Sequence, residues 1–362
     1  MTGGSEIDAT SVFLPIPVTR RLGTVATTDF LRCYRFPFHR ALFGLLCSGY
    51  GIGIGRGFAY HVVLATHKIL ILPPLPDNLP VSAPPLFALP DHAVVALDGP
   101  DATAFAQAQF ANDVAALAPG CWQWNAWLTP KGRVIAVFAL LRPAEDRILL
   151  LVPDIDAGEL SAQLQRFVFR RKLKISERTD LRVGGALRKP DSAQNARIGI
   201  HGSTFELDFG DEDQDRTLLI APAEDPTHDT ELHARWITHD LHAGLPHLPA
   251  AQREQWTPQQ LSLERLQAFS VKKGCYPGQE IVARTHFLGK AKRGLVLFET
   301  DVGIAPGTEV DDGQRAVGTI VSSATGERNL ALAVLPRERE ASELSAGGVA
   351  LREIQMRAGL QR

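Results

Sequence analysis

From residue 87 onward, short apolar runs alternate with helical stripes. Residues 92–97 (HAVVAL) predict a strand closed by Asp98-Gly99-Pro100, where the proline suits the first turn of a helix. Ala104, Phe105, Ala108 and Ala111 fall on one helical face, and the stripe stops at Asn112-Asp113. Residues 122–128 and 133–141 predict two strands joined by the turn Thr129-Pro130-Lys131-Gly132, and 148–152 predict a third. Leu160, Leu164, Phe167 and Val168 keep i, i+4, i+7, i+8 spacing, which predicts a helix, followed by a strand over 172–175. Residues 235–244 predict a helix ended by Gly244, after which Leu245-Pro246 forces the chain out. Pro277-Gly278 then introduces a further helical stretch, GQEIVARTH. Past residue 287 the texture changes. The runs 292–299 and 316–322 are short and β-rich, with glycine turns between them, and predict a small terminal barrel or sandwich. Strands and helices alternate without long parallel repeats, so the expected class is α+β rather than a doubly wound sheet.

The first 80 or so residues do not share this pattern. They are poor in acids, carry scattered arginines and contain the glycine run GYGIGIGRG at 49–57. Its spacing is not GxGxxG and no predicted strand precedes it, so it does not read as a dinucleotide loop. The apolar stretch 58–72 is interrupted by His61, His67 and Lys68 and is too short to span a bilayer. We expect residues 1–83 to be an atypical, disordered leader with a proline-rich linker (73–85), residues 84–286 to form the main body, and 287–362 to form the barrel. An arginine-rich, acid-poor leader would suit a mitochondrial transit peptide, but Glu6 and Asp8 sit badly at its start, and the cytoplasm is the expected location.

Composition narrows the chemistry. The 362 residues are 45% apolar and 22% charged with a net charge of -2, which fits a globular protein and gives no bulk electrostatic grip on nucleic acid. The four cysteines, Cys33, Cys47, Cys121 and Cys275, make no CxxC pair, so neither a disulfide framework nor a four-thiolate iron-sulfur site is expected within one chain. His239, His242 and His247 cluster in sequence without the spacing of a familiar zinc site. Cys275 stands out. It lies in Lys-Lys-Gly-Cys-Tyr-Pro-Gly-Gln-Glu (272–280), behind two lysines and ahead of a helix start, an environment that favours the reactive thiolate; buried packing between glycines is the alternative. Glu280 and Arg284 are four apart and suit an ion pair along one helix face that holds the loop.

KKGCYPGQEIVAR (272–284) resembles the signature of the YgfZ family, folate-binding proteins that support iron-sulfur enzymes and tRNA modification. LDG (97–99), NDVAAL (112–117), LTPKGRV (128–134), AGLP (243–246) and TPQQLSLERL (257–266) match that family in the same order, so the resemblance runs from about residue 87 to the C-terminus. It implies a folate-binding, aminomethyltransferase-like body around a central opening, with a small C-terminal β-barrel. Within the motif, Lys273, Gly274, Tyr276, Gly278, Gln279, Glu280 and Arg284 are the implied scaffold for Cys275. The glycine-cleavage aminomethyltransferases share that body. Their segment corresponding to LTPKGRV runs on into acidic residues that include the catalytic carboxylate, where this chain has Ala136 and Val137.

The resemblance also implies a tetrahydrofolate site. Trp236, Asn112, Asp113, His242 and Arg133 are its candidate residues, with Arg133 beside Lys131 as a contact for the glutamate tail. His242 stands where the family commonly has glutamate, and His92 where some relatives carry tryptophan; Trp236 also reads as a core anchor on its helix. The implied function is an accessory factor in iron-sulfur cluster assembly or repair for client proteins, including tRNA-modifying enzymes. Cys275 would serve as a cluster ligand shared with a partner or as a sulfur carrier. Implied partners are iron-sulfur client or carrier proteins and folate, without direct nucleic-acid binding or a membrane. A tetrahydrofolate-dependent aminomethyltransferase, and a binding module with a vestigial folate site, are the alternatives.

Overall fold

The computed structural model describes residues 50–55, 58–65, 68–72, 86–222, 226–289 and 291–362. The chain divides into two units, Met1–Pro80 and Val81–Arg362. In the first, β1 (Tyr50–Gly55), β2 (Phe58–Ala65) and β3 (Lys68–Leu72) pair in order as an antiparallel sheet, in a segment from which no regular structure was expected. Cys33, Cys47 and the proline-rich linker lie outside the described residues.

The second unit begins with β4 (Phe87–Ala88), β5 (His92–Asp98), α1 (Ala102–Gln109), β6 (Cys121–Leu128), β7 (Val134–Ala144), β8 (Arg147–Pro153), α2 (Ala157–Gln165) and β9 (Lys174–Glu177). One five-stranded antiparallel sheet has the order β6-β7-β8-β5-β9. Its runs VIAVFALL and ILLLV lack apolar–polar alternation because both faces are covered. Val137, Ala139, Leu141, Leu149 and Leu151 enter the main core, while Ala136, Phe138, Leu140, Ile148 and Leu150 face α1 and α2 in a second core. α1 ends at Gln109 and buries Ala102, Phe105 and Ala106; Ala104, from the expected stripe, is exposed. α2 is capped by Asp156, whose carboxylate accepts from the Glu159 N–H at 2.7 Å. The expected helix runs too far at its C-terminal end. The chain turns at Phe167-Val168 so that β9 can return beside β5, leaving Phe167 on the surface and Val168 in the core.

Four further strands, β10 (Arg182–Ala186), β11 (Gly199–His201), β12 (Thr204–Asp208) and β13 (Thr217–Ala221), join β4 in a second antiparallel sheet of order β11-β12-β13-β10-β4. α3 (Thr230–His242) starts five residues before its expected start because Asp229 caps it, accepting from the Leu232 N–H at 2.9 Å. Its end was legible: Gly244 takes φ +75 just past the C-cap Ala243. α4 (Gln279–Phe287) follows the cysteine motif. Then β14 (Arg293–Thr300), β15 (Glu309–Asp311), β16 (Ala316–Ala324), β17 (Asn329–Pro336), β18 (Leu344–Ala346) and β19 (Val349–Ile354) close a six-stranded barrel, in the order β14-β17-β16-β15-β18-β19. The fold is therefore mixed α and β, with a terminal β-barrel, as the sequence implied.

Candidate functional site

The cysteine motif is fixed at two points. Gly278 takes φ +80 at the N-cap of α4, and a Cβ there would lie 2.7 Å from both Gly132 Cα and Thr129 O. Gly132, φ +69, is equally confined, since its Cβ would meet Ile281 Cβ at 2.8 Å. Two glycines from distant motifs are thus pressed backbone to backbone, which only residues without a Cβ allow. The second anchor is Lys273. Its Nζ donates to the carbonyls of Gln107 (2.6 Å), Phe110 (2.5 Å) and Asn112 (2.9 Å), satisfying acceptors at the C-terminal end of α1 that no helical N–H reaches. Burial brings its pKa down to about 8, and the ammonium lies 4.8 Å from the Tyr276 ring centroid. Burial also pushes the Tyr276 hydroxyl up to about 12.

Lys273 was expected to supply positive charge to the thiol. All three of its N–H donors are instead committed to carbonyls, so its role is anchorage. Gln279 supports the same turn by donating to Lys273 O at 3.4 Å. Gly274 differs from Gly278: a Cβ there would meet nothing within 4 Å, so space does not require glycine. Glu280 and Arg284 form no ion pair with each other, although their spacing suggested one. Between the two anchors Cys275 is exposed, and neither it nor the half-buried Cys121 forms a disulfide.

A cleft of about 630 Å³ opens beside this loop, within the size range of small-molecule sites. Leu117, Trp122, Phe269 and Val271 give it apolar walls, and Lys272 and His286 come from the cysteine loop and α4. Of the expected folate residues, Asn112 and Asp113 line it. Asn112 is a strut. Its amide donates to Trp124 O at 2.9 Å and Gln267 O at 2.7 Å, and its Oδ1 accepts from Asp113 N. Asp113 accepts from Gln107 Nε2 at 3.0 Å through Oδ1, while its Oδ2 takes no hydrogen bond from a described residue and remains available to a ligand N–H. Apolar walls with a carboxylate oxygen left open suit a flat ring that carries N–H donors. Cys275 does not line the cleft. It stands three residues past Lys272, the last residue of this loop to line the cleft, on the exposed part of the loop.

The remaining folate candidates lie elsewhere. Trp236 is fully buried, edge-on to Phe87 and tilted against Phe209, with the Arg216 guanidinium 4.7 Å from its ring, so it is a core anchor. Arg133 donates to Gln255 O at 2.7 Å and fastens a loop. His242 borders a separate cavity of about 220 Å³ with His239 and Arg357, and burial, followed by the charges of Arg357 and Arg328, lowers its pKa. The sequence therefore grouped five residues of which the structure brings only Asn112 and Asp113 together at the cleft.

Sequence reasoning missed a buried ionic chain. Arg216 pairs with Asp240 at 2.6 Å, Asp240 with His247 at 3.2 Å, and His247 with Asp154 at 2.8 Å. Burial opposes the charges, but Arg216 and His247 hold Asp240 down to about 2, and the two carboxylates raise His247 well above its ordinary value. His92, close by, is lowered to about 4 by burial and by His247, and is neutral. Asp154 adopts φ +63, and the His247 N–H donates to Ser322 Oγ on the barrel, so the chain joins β8, β13, α3 and β16. The only sequence signal was the polar pair Asp240 and His247 flanking an otherwise apolar helix end.

No family model matches the sequence. An uncharacterized protein of Haemophilus influenzae is 30% identical over 244 residues, 65% of this chain and 83% of that protein. The tRNA-modifying protein YgfZ of Serratia proteamaculans is 30% identical over 280 residues, 70% of this chain and 83% of its own length. The protein of that name from Aliivibrio fischeri is 29% identical over 272 residues, 69% of this chain and 84% of its own length. Among solved structures, the glycine cleavage system aminomethyltransferase T of Bartonella henselae superposes with a TM-score of 0.57 at 17% identity, covering 85% of this chain and 93% of that one, which shows the shared fold. The ordered motifs, this fold and relatives matched along most of their length together show that the chain belongs to the YgfZ family.

Proposed function

We propose that this protein is a folate-binding accessory factor that supports assembly or repair of iron-sulfur clusters in client proteins, tRNA-modifying enzymes among them, and that it works in the cytoplasm. The observation that carries the reading is an exposed thiol, Cys275, on a loop anchored on both sides and next to a folate-sized cleft. An anchored loop presents the sulfur in one place at low entropic cost to a partner. Cys275 offers a single thiol on its loop, and a cluster touching it would take its remaining ligands from the partner. Among the described residues no helix is long and apolar enough to cross a membrane. The names of the Serratia and Aliivibrio relatives support the link to tRNA modification. Tetrahydrofolate or a derivative would lie in the cleft, between the apolar walls of Trp122 and Phe269 and within reach of the Asp113 carboxylate.

Folate-dependent aminomethyl transfer is less well supported. Ala136 and Val137 are about 4% exposed and point into opposite cores. The cavity they border measures about 10 Å³, room for a single water. Neither side chain can accept or donate the proton that the reacting amine requires.

The test is Cys275→Ala in cells lacking the native chain. Cluster occupancy of the client enzymes, read from their visible absorption and iron content, should fall while the variant keeps its far-UV circular dichroism. Normal occupancy in the folded variant would overturn the role of the thiol.

A further inference from the structure

After β19 the chain forms no further strand or helix, yet residues 355–362 are held inside the unit. Arg357 N donates to His242 O at 2.7 Å, Arg265 donates to Arg357 O at 2.6 Å, and Ala358 and Glu212 bond each other. Leu360 is 2% exposed in the main core, and its carbonyl accepts from Trp124 Nε1 at 2.7 Å. The segment is a shared wall. Arg362 borders the large cleft; Arg357, Leu360 and Gln361 border a cavity of about 260 Å³; and Arg357 also borders the cavity of about 220 Å³ at His242. Gln267 borders both the large cleft and the second cavity.

Arg362 makes the contacts expected of a flat ligand. Its side chain is 4% exposed, and its guanidinium lies 5.7 Å from the Trp122 ring centroid. Nη2 donates to Asp208 O at 2.9 Å and Gly210 O at 3.0 Å, and the Asp208 carboxylate lies 3.5 Å away. Below this point Trp122 and Phe209 stack at 5.2 Å, with Trp124 edge-on to both. The 2-amino-4-oxo edge of a reduced pterin is also a planar guanidine-like unit that presents an amine and a ring N–H. An aromatic face with a cluster of acceptors at its edge suits either group.

We infer that residues 355–362 are an intramolecular plug, with the Arg362 guanidinium occupying the place of the pterin's guanidine-like edge, and that ligand binding displaces it. The inference rests on the folate reading above. Withdrawal of the plug joins the large cleft to the two smaller cavities and frees the Trp124 indole N–H. Affinity of the unmodified chain is then lowered by the fraction of molecules in which the plug is seated.

The test measures tetrahydrofolate binding by calorimetry to the full chain, to Arg362→Ala and to Leu360→Ala, each first shown to be folded by circular dichroism. Amide hydrogen exchange at Arg357 and Ala358 is followed in the full chain. A plug predicts at least tenfold tighter binding to the variants, together with faster exchange of those amides when tetrahydrofolate saturates the full chain. Equal affinities, or exchange slowed by ligand, would overturn the plug and leave the folate site standing. No binding to any of the three proteins would overturn both.

Discussion

The loop that presents Cys275 contains two glycines, and the structure assigns them opposite tolerances. At Gly278 the φ of +80 costs an alanine roughly 1–2 kcal/mol. Its Cβ would also lie 2.7 Å from Gly132 Cα and Thr129 O and 2.9 Å from Gly132 N. All three are backbone atoms that cannot swing aside, and overpacking of this kind typically costs about 1–3 kcal/mol. Gly278→Ala should therefore destabilise the fold by about 2–5 kcal/mol, or separate the cysteine loop from the Thr129–Gly132 turn while the rest stays folded. At Gly274 a Cβ meets nothing within 4 Å and φ is not left-handed, so Gly274→Ala should change stability by no more than about 0.5 kcal/mol. Urea unfolding gives both free energies, and the rate at which a thiol reagent modifies Cys275 reports loop order separately. The anchoring argument fails if the two variants have equal midpoints and equal thiol rates.

Removing one charge from the buried ionic chain, by Asp240→Asn, should destabilise the protein by about 3–5 kcal/mol in urea unfolding, because it leaves the Arg216 and His247 charges without their shared partner. The wild-type pH profile should fall on both sides. Asp240, depressed from 3.8 to about 2, stabilises the fold above its unfolded value and loses that contribution as pH falls towards 2. His247, raised above 6.5, contributes fully below that value, and its contribution is lost as pH rises through the raised pKa; a flat profile from pH 2 to 9 would contradict both assignments. Ala136→Asp places a carboxylate at a position about 4% exposed whose adjoining space holds about one water and already contains Asp154, so it should cost more than about 3 kcal/mol and give no 5,10-methylenetetrahydrofolate from an aminomethyl donor. Turnover by that variant would revive the transferase reading.

Elements carried by local patterns were readable in the sequence. The strands β6 to β8 have long apolar runs bounded by turn residues, and α3 ends at a glycine with positive φ. Elements that depend on distant partners were not. β10 reads RVGGA, a poor strand by propensity, yet a Cβ at Gly185 would lie 2.9 Å from the Trp236 ring and 3.0 Å from Phe87 Cζ. The glycine exists to admit the tryptophan, and that contact also makes Trp236 a core residue rather than a ligand wall. Lys273 was obscured in the same way. Adjacent to a cysteine it suggests electrostatic activation, whereas its partners are carbonyls more than 160 positions earlier in the chain.

The chain shares the aminomethyltransferase fold, and its titratable groups are placed unevenly around its open spaces. Asp240 and Asp154 are committed to Arg216 and His247, His92 is neutral and borders a cavity of about 540 Å³, and the space beside Ala136 and Val137 holds about one water. Residues 355–362 cover Trp122 and Trp124 through the Arg362 guanidinium and the Leu360 carbonyl. The Asp113 Oδ2 and the free Cys121 lie along the cleft, and the Cys275 thiol stands on the exposed loop beside it. A buried charge network can stabilise one arrangement of sheet, helix and barrel without taking part in chemistry, and a rigid body of that kind keeps an external loop in register with a neighbouring ligand site. On the proposed reading, the ligand and the thiol would act from adjacent surfaces on a third component supplied by a partner.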